Sequence, residues 1–352
     1  MSPSADWEAA DWDAAVRQVL AAFGLGEPVS VEPLGGTATP KFVARTAEER
    51  WVVRVRPREF AARRLVRFDH TALARLAALG LPVPSPQPRP DGTTWFEFHG
   101  QMVEVLSWIG GEPFEWNDLA ALGNLGAFLA RFHEALLDSV PAGKEGFRRE
   151  DDPVLMGPYV DRLEHSGPDK PQREGLAAIR AELKRIRHEL DEKRWPHLPR
   201  AVTHGDIHMG NVRFRRSEVS ALYDFDYLSP QARVRDLCDA LMFFTGIRDH
   251  PVDPDNIRSL TAPYRLDQRR ARILLAGYQQ ILPLTAQEWE AIPWILRSQW
   301  CQMRLRGSRK VPDDQKIAYV LDQFIEQLDW LEHAAPAWVT AVREAGPPTE
   351  AN

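Results

Sequence analysis

The chain has 352 residues, 44% hydrophobic and 27% charged, with a formal net charge of −6, the balance of a globular protein long enough to bury a sizeable core. No long basic run accompanies that charge, which argues against a nucleic-acid partner, and no apolar run approaches the roughly 20 residues that cross a bilayer. The two cysteines, Cys238 and Cys301, lie far apart in apolar, helix-like stretches, so buried thiols are expected rather than a disulfide framework or a C-x-x-C metal pair.

The opening MSPSADWEAADWDAAV is acidic and has no apolar core, unlike a secretory leader, and a reducing cytoplasm is the default location. Val16, Val19, Leu20 and Phe23 fall at helical spacing and predict an amphipathic helix over 6–24, stopped at Gly24. Val29, Val31 and Leu34 then alternate as a strand, followed by the turn Gly35-Gly36-Thr37-Ala38-Thr39-Pro40 and two further strands over 41–46 and 51–55, an antiparallel meander. A helix over 59–79 ends at Gly80. After it come an extended proline-rich stretch (81–90) and two strands, 95–98 and 101–106, around His99-Gly100. This first portion reads as an α+β unit. From about residue 117 the pattern turns helical. Helices are expected over 119–137 and 175–193, with a charged Pro/Gly-rich loop and a short helix over 141–170, short strands over 202–228, and helices again through 341. The expected organisation is an N-terminal lobe over 1–108, a mainly helical C-terminal lobe over 109–345 and a polar tail over 346–352. The patterning specifies no oligomeric state.

The chemistry concentrates in Thr203-His204-Gly205-Asp206-Ile207-His208-Met209-Gly210-Asn211 and in Tyr223-Asp224-Phe225-Asp226. Two short apolar strands separate them, a plan expected to bring Asp206, Asn211 and Asp224 toward one end of a hairpin. Phosphoryl transfer needs such a set: a carboxylate that accepts or orients the acceptor hydroxyl, and an Asn oxygen and second carboxylate that hold magnesium against the phosphates. The H-x-D-x-x-x-x-N spacing matches a kinase catalytic loop. Blander roles compete at each position. Asp206 could be a turn cap and Asn211 a turn residue. His204 reads as a brace of the backbone, and His208 either lines the acceptor site or is solvated. Asp236 is expected to brace the loop from the next helix, while Asp226 and Asp239 are left without a role. On the nucleotide side, the backbone amides of Gly35, Gly36 and Thr37 could approach phosphates. Arg54 stands on the third strand facing away from Val53 and Val55. Asp69, on the following helix, is its expected partner, with Glu59 as the fallback.

These segments resemble the aminoglycoside phosphotransferase family, a branch of the protein-kinase-like fold. The resemblance runs through GGTATPKFVART and WVVRVRP, DHTALARLAALGLPVPSP, VEVLSWIGGEPF, LGAFLARFHEAL, and the most specific pair, HGDIHMGNVRF and ALYDFDYLSPQARVRDLCDAL. The C-terminal LLAGYQQILPLTAQEWEAIPWILRSQWCQMRLR is similar, more loosely, to the branch of type II homoserine kinases and bacterial stress-response kinases. The resemblance implies a two-lobed fold with a small antiparallel-sheet lobe and a mainly helical one, ATP and Mg2+ as cofactors, Asp206 as the catalytic Asp, Asn211 and Asp224 on magnesium, and Ser107 and Trp108 near the adenine. Two departures stand out: Arg54 occupies a position where Lys is commoner, and the glycine turn lacks a full G-x-G-x-x-G. The expected partner is a small-molecule hydroxyl acceptor: an amine-bearing alcohol, an amino sugar or a homoserine-like compound. Competing readings are a protein Ser/Thr kinase of the stress-response type, a metal-dependent hydrolase using His204, Asp206 and His208, and a nucleotide-binding pseudokinase, which the full residue set disfavours.

Overall fold

The computed structural model describes residues 12–35, 39–137, 140–147, 152–192, 194–253 and 256–346. The expected start of the first helix at 6–11, Gly36 and Thr37 of the glycine turn, and 347–352 of the tail lie outside the described residues. The chain divides into two compact units. The first comprises Met1–Glu112, Asp138–Glu145 and Ser220–Asp226; the second comprises Pro113–Leu137, Gly146–Val219 and Tyr227–Asn352.

In the first unit, α1 (Trp12–Phe23) precedes β1 (Ser30–Pro33), β2 (Lys41–Arg45) and β3 (Arg50–Val55); α2 (Arg63–Ala78) follows, then β4 (Phe96–Phe98) and β5 (Gln101–Ser107). The strands form one antiparallel sheet in the order β1-β2-β3-β5-β4. His99 and Gly100, both at positive φ, make the two-residue turn between β4 and β5, the geometry that matches the twist of a hairpin. Strand alternation sorts the sheet into two faces. Phe42, Ala44, Val53, Val55, Val103 and Val105 join Val16, Val19, Leu20 and Phe23 of α1 in one core. On the opposite face the register places Lys41 beside Arg54 and Arg54 beside Glu104, a charged row across three strands.

In the second unit, α3 (Leu119–Glu134), α4 (Pro153–Glu164) and α5 (Lys170–Arg187) are followed by four short strands. These are β6 (Arg200–Thr203), β7 (Val212–Arg215), β8 (Glu218–Leu222) and β9 (Ser229–Ala232), and within β8 the chain passes from the second unit to the first. Then come α6 (Val234–Phe244), α7 (Gln268–Gln279), α8 (Ala286–Gly307) and α9 (Phe324–Ala345). No described helix is long and apolar enough to cross a membrane. Helix α5 starts at Lys170, earlier than the apolar spacing suggests. Asp169 accepts from the Gln172 amide while the Gln172 side chain accepts from the Asp169 amide, a reciprocal cap that satisfies two terminal N–H groups.

Helices α3 and α7 meet backbone to backbone. A Cβ on Gly126 would stand 1.9 Å from the Leu274 carbonyl oxygen, and one on Gly277 2.0 Å from the Gly123 carbonyl oxygen. Gly123 of α3 is also helical, and a Cβ there would meet Ile273 Cγ2 at 3.5 Å, an ordinary contact. Gly126→Ala is therefore expected to destabilise the protein by about 1–3 kcal/mol through overpacking. Gly123→Ala should stabilise it by about 0.5–1 kcal/mol through backbone entropy. Opposite shifts of the urea midpoint check the pair.

Candidate active site

The second unit builds a rigid loop between β6 and β7. Thr203, the last residue of β6, pairs with Ser229 of β9, and Ile207 anchors the loop from beneath, fully buried. Asp236, in the first turn of α6 and fully buried, accepts the backbone amides of His204 at 2.7 Å and Gly205 at 2.9 Å, the brace expected from the sequence. The same carboxylate receives His133 Nε2 from α3 at 3.1 Å. With that ring nitrogen donating, His133 Nδ1 accepts the Tyr278 hydroxyl of α7 at 2.9 Å. Burial pushes the Tyr278 phenol well above its ordinary value, so it stays a neutral donor. The glycine contact between α3 and α7 thus fixes the two side chains behind the loop. Gly205 has φ +88°, and a Cβ there would lie 2.8 Å from Tyr227 Cβ, so both conformation and space require glycine.

His204 is buried, and its Nδ1 accepts the Asp206 amide at 3.2 Å, a structural role. The Asp206 carboxylate is 40% exposed, with His208 Nε2 3.6 Å away. Asn211 is largely buried, and its Nδ2 donates to the Asp206 backbone oxygen at 2.9 Å and to Oδ2 at 3.2 Å. The structure therefore brings Asp206 and Asn211 together. Because the Asn211 nitrogen faces Asp206, its Oδ1 is the atom left to serve a hard, oxygen-seeking cation, so this residue fits a magnesium ligand. Of the residues in the hydrolase alternative, His204 is buried and turns its Nδ1 to the Asp206 amide. Asp236→Ala should take their acceptor from the buried His204 amide and His133 ring, at about 1–3 kcal/mol each, and from the partly buried Gly205 amide. A large fall in the urea midpoint is the expected result.

In the first unit the charged row continues into a buried network. Arg54 Nη2 meets both Asp226 oxygens at 2.6 and 2.7 Å, its Nε lies 3.0 Å from Glu104, and its Nη1 lies 3.7 Å from Asp224. The expected Arg54–Asp69 pair is not formed. Asp69 is held instead by Arg56 Nη2 at 2.6 Å and Lys144 Nζ at 2.7 Å. Arg56 lies two residues further along the same strand face and takes the helix carboxylate, whereas cross-strand register gives Arg54 to Glu104. The fallback partner, Glu59, is exposed. Burial alone would raise the Glu104 carboxyl, but Arg56 and Arg54 outweigh it and hold Glu104 well below the usual carboxylate range. His70 Nε2 closes the cluster 2.6 Å from Glu104. Asp224 lies at φ +63°, a conformation Asp tolerates better than most residues and one that recurs at functional sites. Its half-buried carboxylate lies 3.5 Å from Lys41 Nζ and is an oxygen donor suited to the same kind of cation. Gly35 is exposed, with open space around it. Ser107 and Trp108 line one open cavity of about 330 Å³ with the 45–50 turn, which neither Gly35 nor Arg54 reaches. The Ser107 hydroxyl accepts from the Ser85 amide.

Residues 30–274 match the model of the phosphotransferase enzyme family, well over half the chain. The chain belongs to that family. This phosphotransferase is 26% identical over 304 residues to a homoserine kinase of Rhodopseudomonas palustris (strain BisA53), covering 84% of this chain and 85% of that one. It is 27% identical over 312 residues to the homoserine kinase of Acidiphilium cryptum (strain JF-5), covering 87% and 89%. Among solved structures, the amicoumacin kinase hAmiN in complex with AMP-PNP, Ca2+ and Ami superposes with a TM-score of 0.67 at 13% identity, covering 99% of this chain and 98% of that one. The shared fold is protein-kinase-like, an antiparallel sheet in the N-terminal region and a mainly helical C-terminal region, and the enzyme is a kinase.

The sequence reading of this phosphotransferase missed Lys41, Arg56, Glu104, Lys144 and Asp226 as members of the charged network. Strand alternation was the available signal for three of them: Lys41, Arg56 and Glu104 share a face with Arg54. Lys144 carried none, since a lysine in a Pro/Gly-rich stretch reads as solvated, yet here it is buried between Asp69 and the Asp226 carbonyl.

Proposed function

We propose that this ATP-dependent small-molecule kinase carries the γ-phosphoryl group of magnesium-bound ATP to the hydroxyl of an amine-bearing alcohol, an amino sugar or a homoserine-like compound, in the cytoplasm. The observation that carries the reading is the Asp206–Asn211 contact within a loop pinned by Asp236: a partly exposed carboxylate on a rigid backbone, beside an amide with an oxygen to offer. Asp206 accepts or orients the acceptor hydroxyl, and holding that oxygen in line with the phosphorus is its main contribution. Asn211 and Asp224 are assigned to magnesium, which when bound neutralises charge on the phosphate oxygens. The amides of Gly35, Gly36 and Thr37, the last two outside the described residues, are assigned to the phosphates, and Ser107 and Trp108 to the adenine. Arg54 and Asp69 belong to the charged network that supports the nucleotide side. The homoserine kinase relatives support an acceptor with an amino group near its hydroxyl. The acidic stretch at 112–118, with Glu112 and Glu115 exposed, offers negative charge for that amine; 148–151 of the second acidic stretch, 147–152, lie outside the described residues.

A coupled ADP-release assay over homoserine, amino alcohols, amino sugars and aminoglycosides tests the acceptor class. Turnover confined to acceptors without an amine would overturn that part of the reading. ATP with magnesium is expected to raise the melting temperature, and ATP with EDTA to raise it less. At a hundredfold excess over Kd the stabilisation should be about 2.7 kcal/mol. No shift with any nucleotide, measured beside a magnesium-only control, would count against nucleotide binding altogether.

A further inference from the structure

Two cations stand side by side near Asp224, and they are not equivalent. Lys41 and Arg54 are register partners on β2 and β3. The Arg54 side chain is only 7% exposed and is enclosed by Asp226, Glu104 and Asp224. Turning it toward a ligand would take from Asp226 its two shortest contacts and leave Arg56 as the one arginine shared by Asp226 and Glu104, which costs more than one new contact returns. Lys41 is 18% exposed, and its Nζ lies 3.5 Å from Asp224 Oδ2, on a carboxylate that is itself 33% exposed. It is the first residue of β2, directly after the glycine turn, and its carbonyl accepts the Leu34 amide at 2.8 Å across the base of that turn. A compact ammonium on a flexible four-carbon stem, rooted where the chain leaves a glycine turn, suits phosphate oxygens.

We infer that Lys41, rather than Arg54, is the cation that meets the nucleotide's phosphates, and that Arg54 is a positioning residue that holds Asp226 and with it the Asp224 turn. The inference rests on the kinase reading above, and adenosine separates the two. Isothermal titration of the full chain with AMP-PNP plus magnesium, and separately with adenosine, supplies the readout. Lys41→Met should weaken AMP-PNP binding by about ten- to a hundredfold, the loss of one charge-assisted contact. Adenosine affinity and the nucleotide-free melting temperature should stay as in the wild type. Arg54→Lys should bind AMP-PNP normally at saturating magnesium but need more magnesium for half-maximal binding, an effect that a loss of packing alone would not produce. The Lys41 assignment is overturned if Lys41→Met binds AMP-PNP as tightly as the wild type, or loses adenosine and AMP-PNP in equal proportion. The Arg54 assignment is overturned if Arg54→Lys has an unchanged magnesium requirement or stays weak at saturating magnesium. A wild-type chain that binds adenosine and AMP-PNP equally overturns the Lys41 assignment alone, whereas one that binds neither overturns the kinase reading and this inference with it.

Discussion

Replacing Asp206 by Asn is expected to lower turnover by about 10²–10⁴-fold, the usual contribution of a positioned acid–base group, with lost alignment adding to it. Nucleotide affinity should be unchanged. Asp206 is assigned to the acceptor hydroxyl and not to the phosphates or the metal, and its carboxylate is exposed enough that an isosteric amide leaves the fold intact. The loop is held through its backbone by Asp236, and its amide at position 206 is engaged by His204; neither contact involves the Asp206 carboxylate. The measurements are kcat on a confirmed acceptor and AMP-PNP affinity on the same preparation. Near-normal turnover would remove Asp206 from the catalytic role, whatever the fold.

Asp224 should respond in the opposite way, losing magnesium-dependent nucleotide binding before anything else. The choice of substitution matters because Asp224 sits at φ +63°. Alanine there would add backbone strain of about 1–2 kcal/mol, whereas asparagine tolerates the left-handed region. Asp224→Asn therefore isolates the loss of a carboxylate. We expect the magnesium needed for half-maximal AMP-PNP binding to rise about a hundredfold, equivalent to about 2.7 kcal/mol, with adenosine affinity kept. An unchanged magnesium requirement would free Asp224 from the metal and return its left-handed conformation to the category of turn geometry.

Much of this arrangement is legible in the sequence where it depends on local rules. Alternation at Val53, Arg54 and Val55 gives the two faces of β3, His99-Gly100 gives a hairpin, and the spacing from His204 to Asn211 gives the loop. The start of α5 was legible too. Asp169 and Gln172 spell a capping box three residues apart, but the apolar periodicity begins later and draws the boundary toward Gly175. The partner of Arg54 belongs to a different class. It is set by the β3–β5 register and by Asp226, 172 positions away, and no local signal distinguishes Asp69 from Glu104 as the nearer carboxylate. The same holds for Lys144, whose burial follows from Asp69 and the Asp226 carbonyl rather than from anything in its own neighbourhood.

The composition of the first unit has a consequence for how the chain is made. Its buried cations Arg54 and Arg56 are encoded early, but Lys144 and Asp226, which complete their network, come from segments translated well after Glu112. At about 5–20 residues per second, the roughly one hundred residues between Glu112 and Asp226 occupy the ribosome for on the order of ten seconds. Throughout that interval the five-stranded sheet has its apolar face but not its full set of counter-charges. The nascent N-terminal segment therefore lacks two of the groups that its buried network uses, the carboxylate of Asp226 and the ammonium of Lys144. A ribosome-stalled chain ending shortly after residue 112 should stay protease-sensitive, and a single genetic crossover between the units would separate charges that need each other.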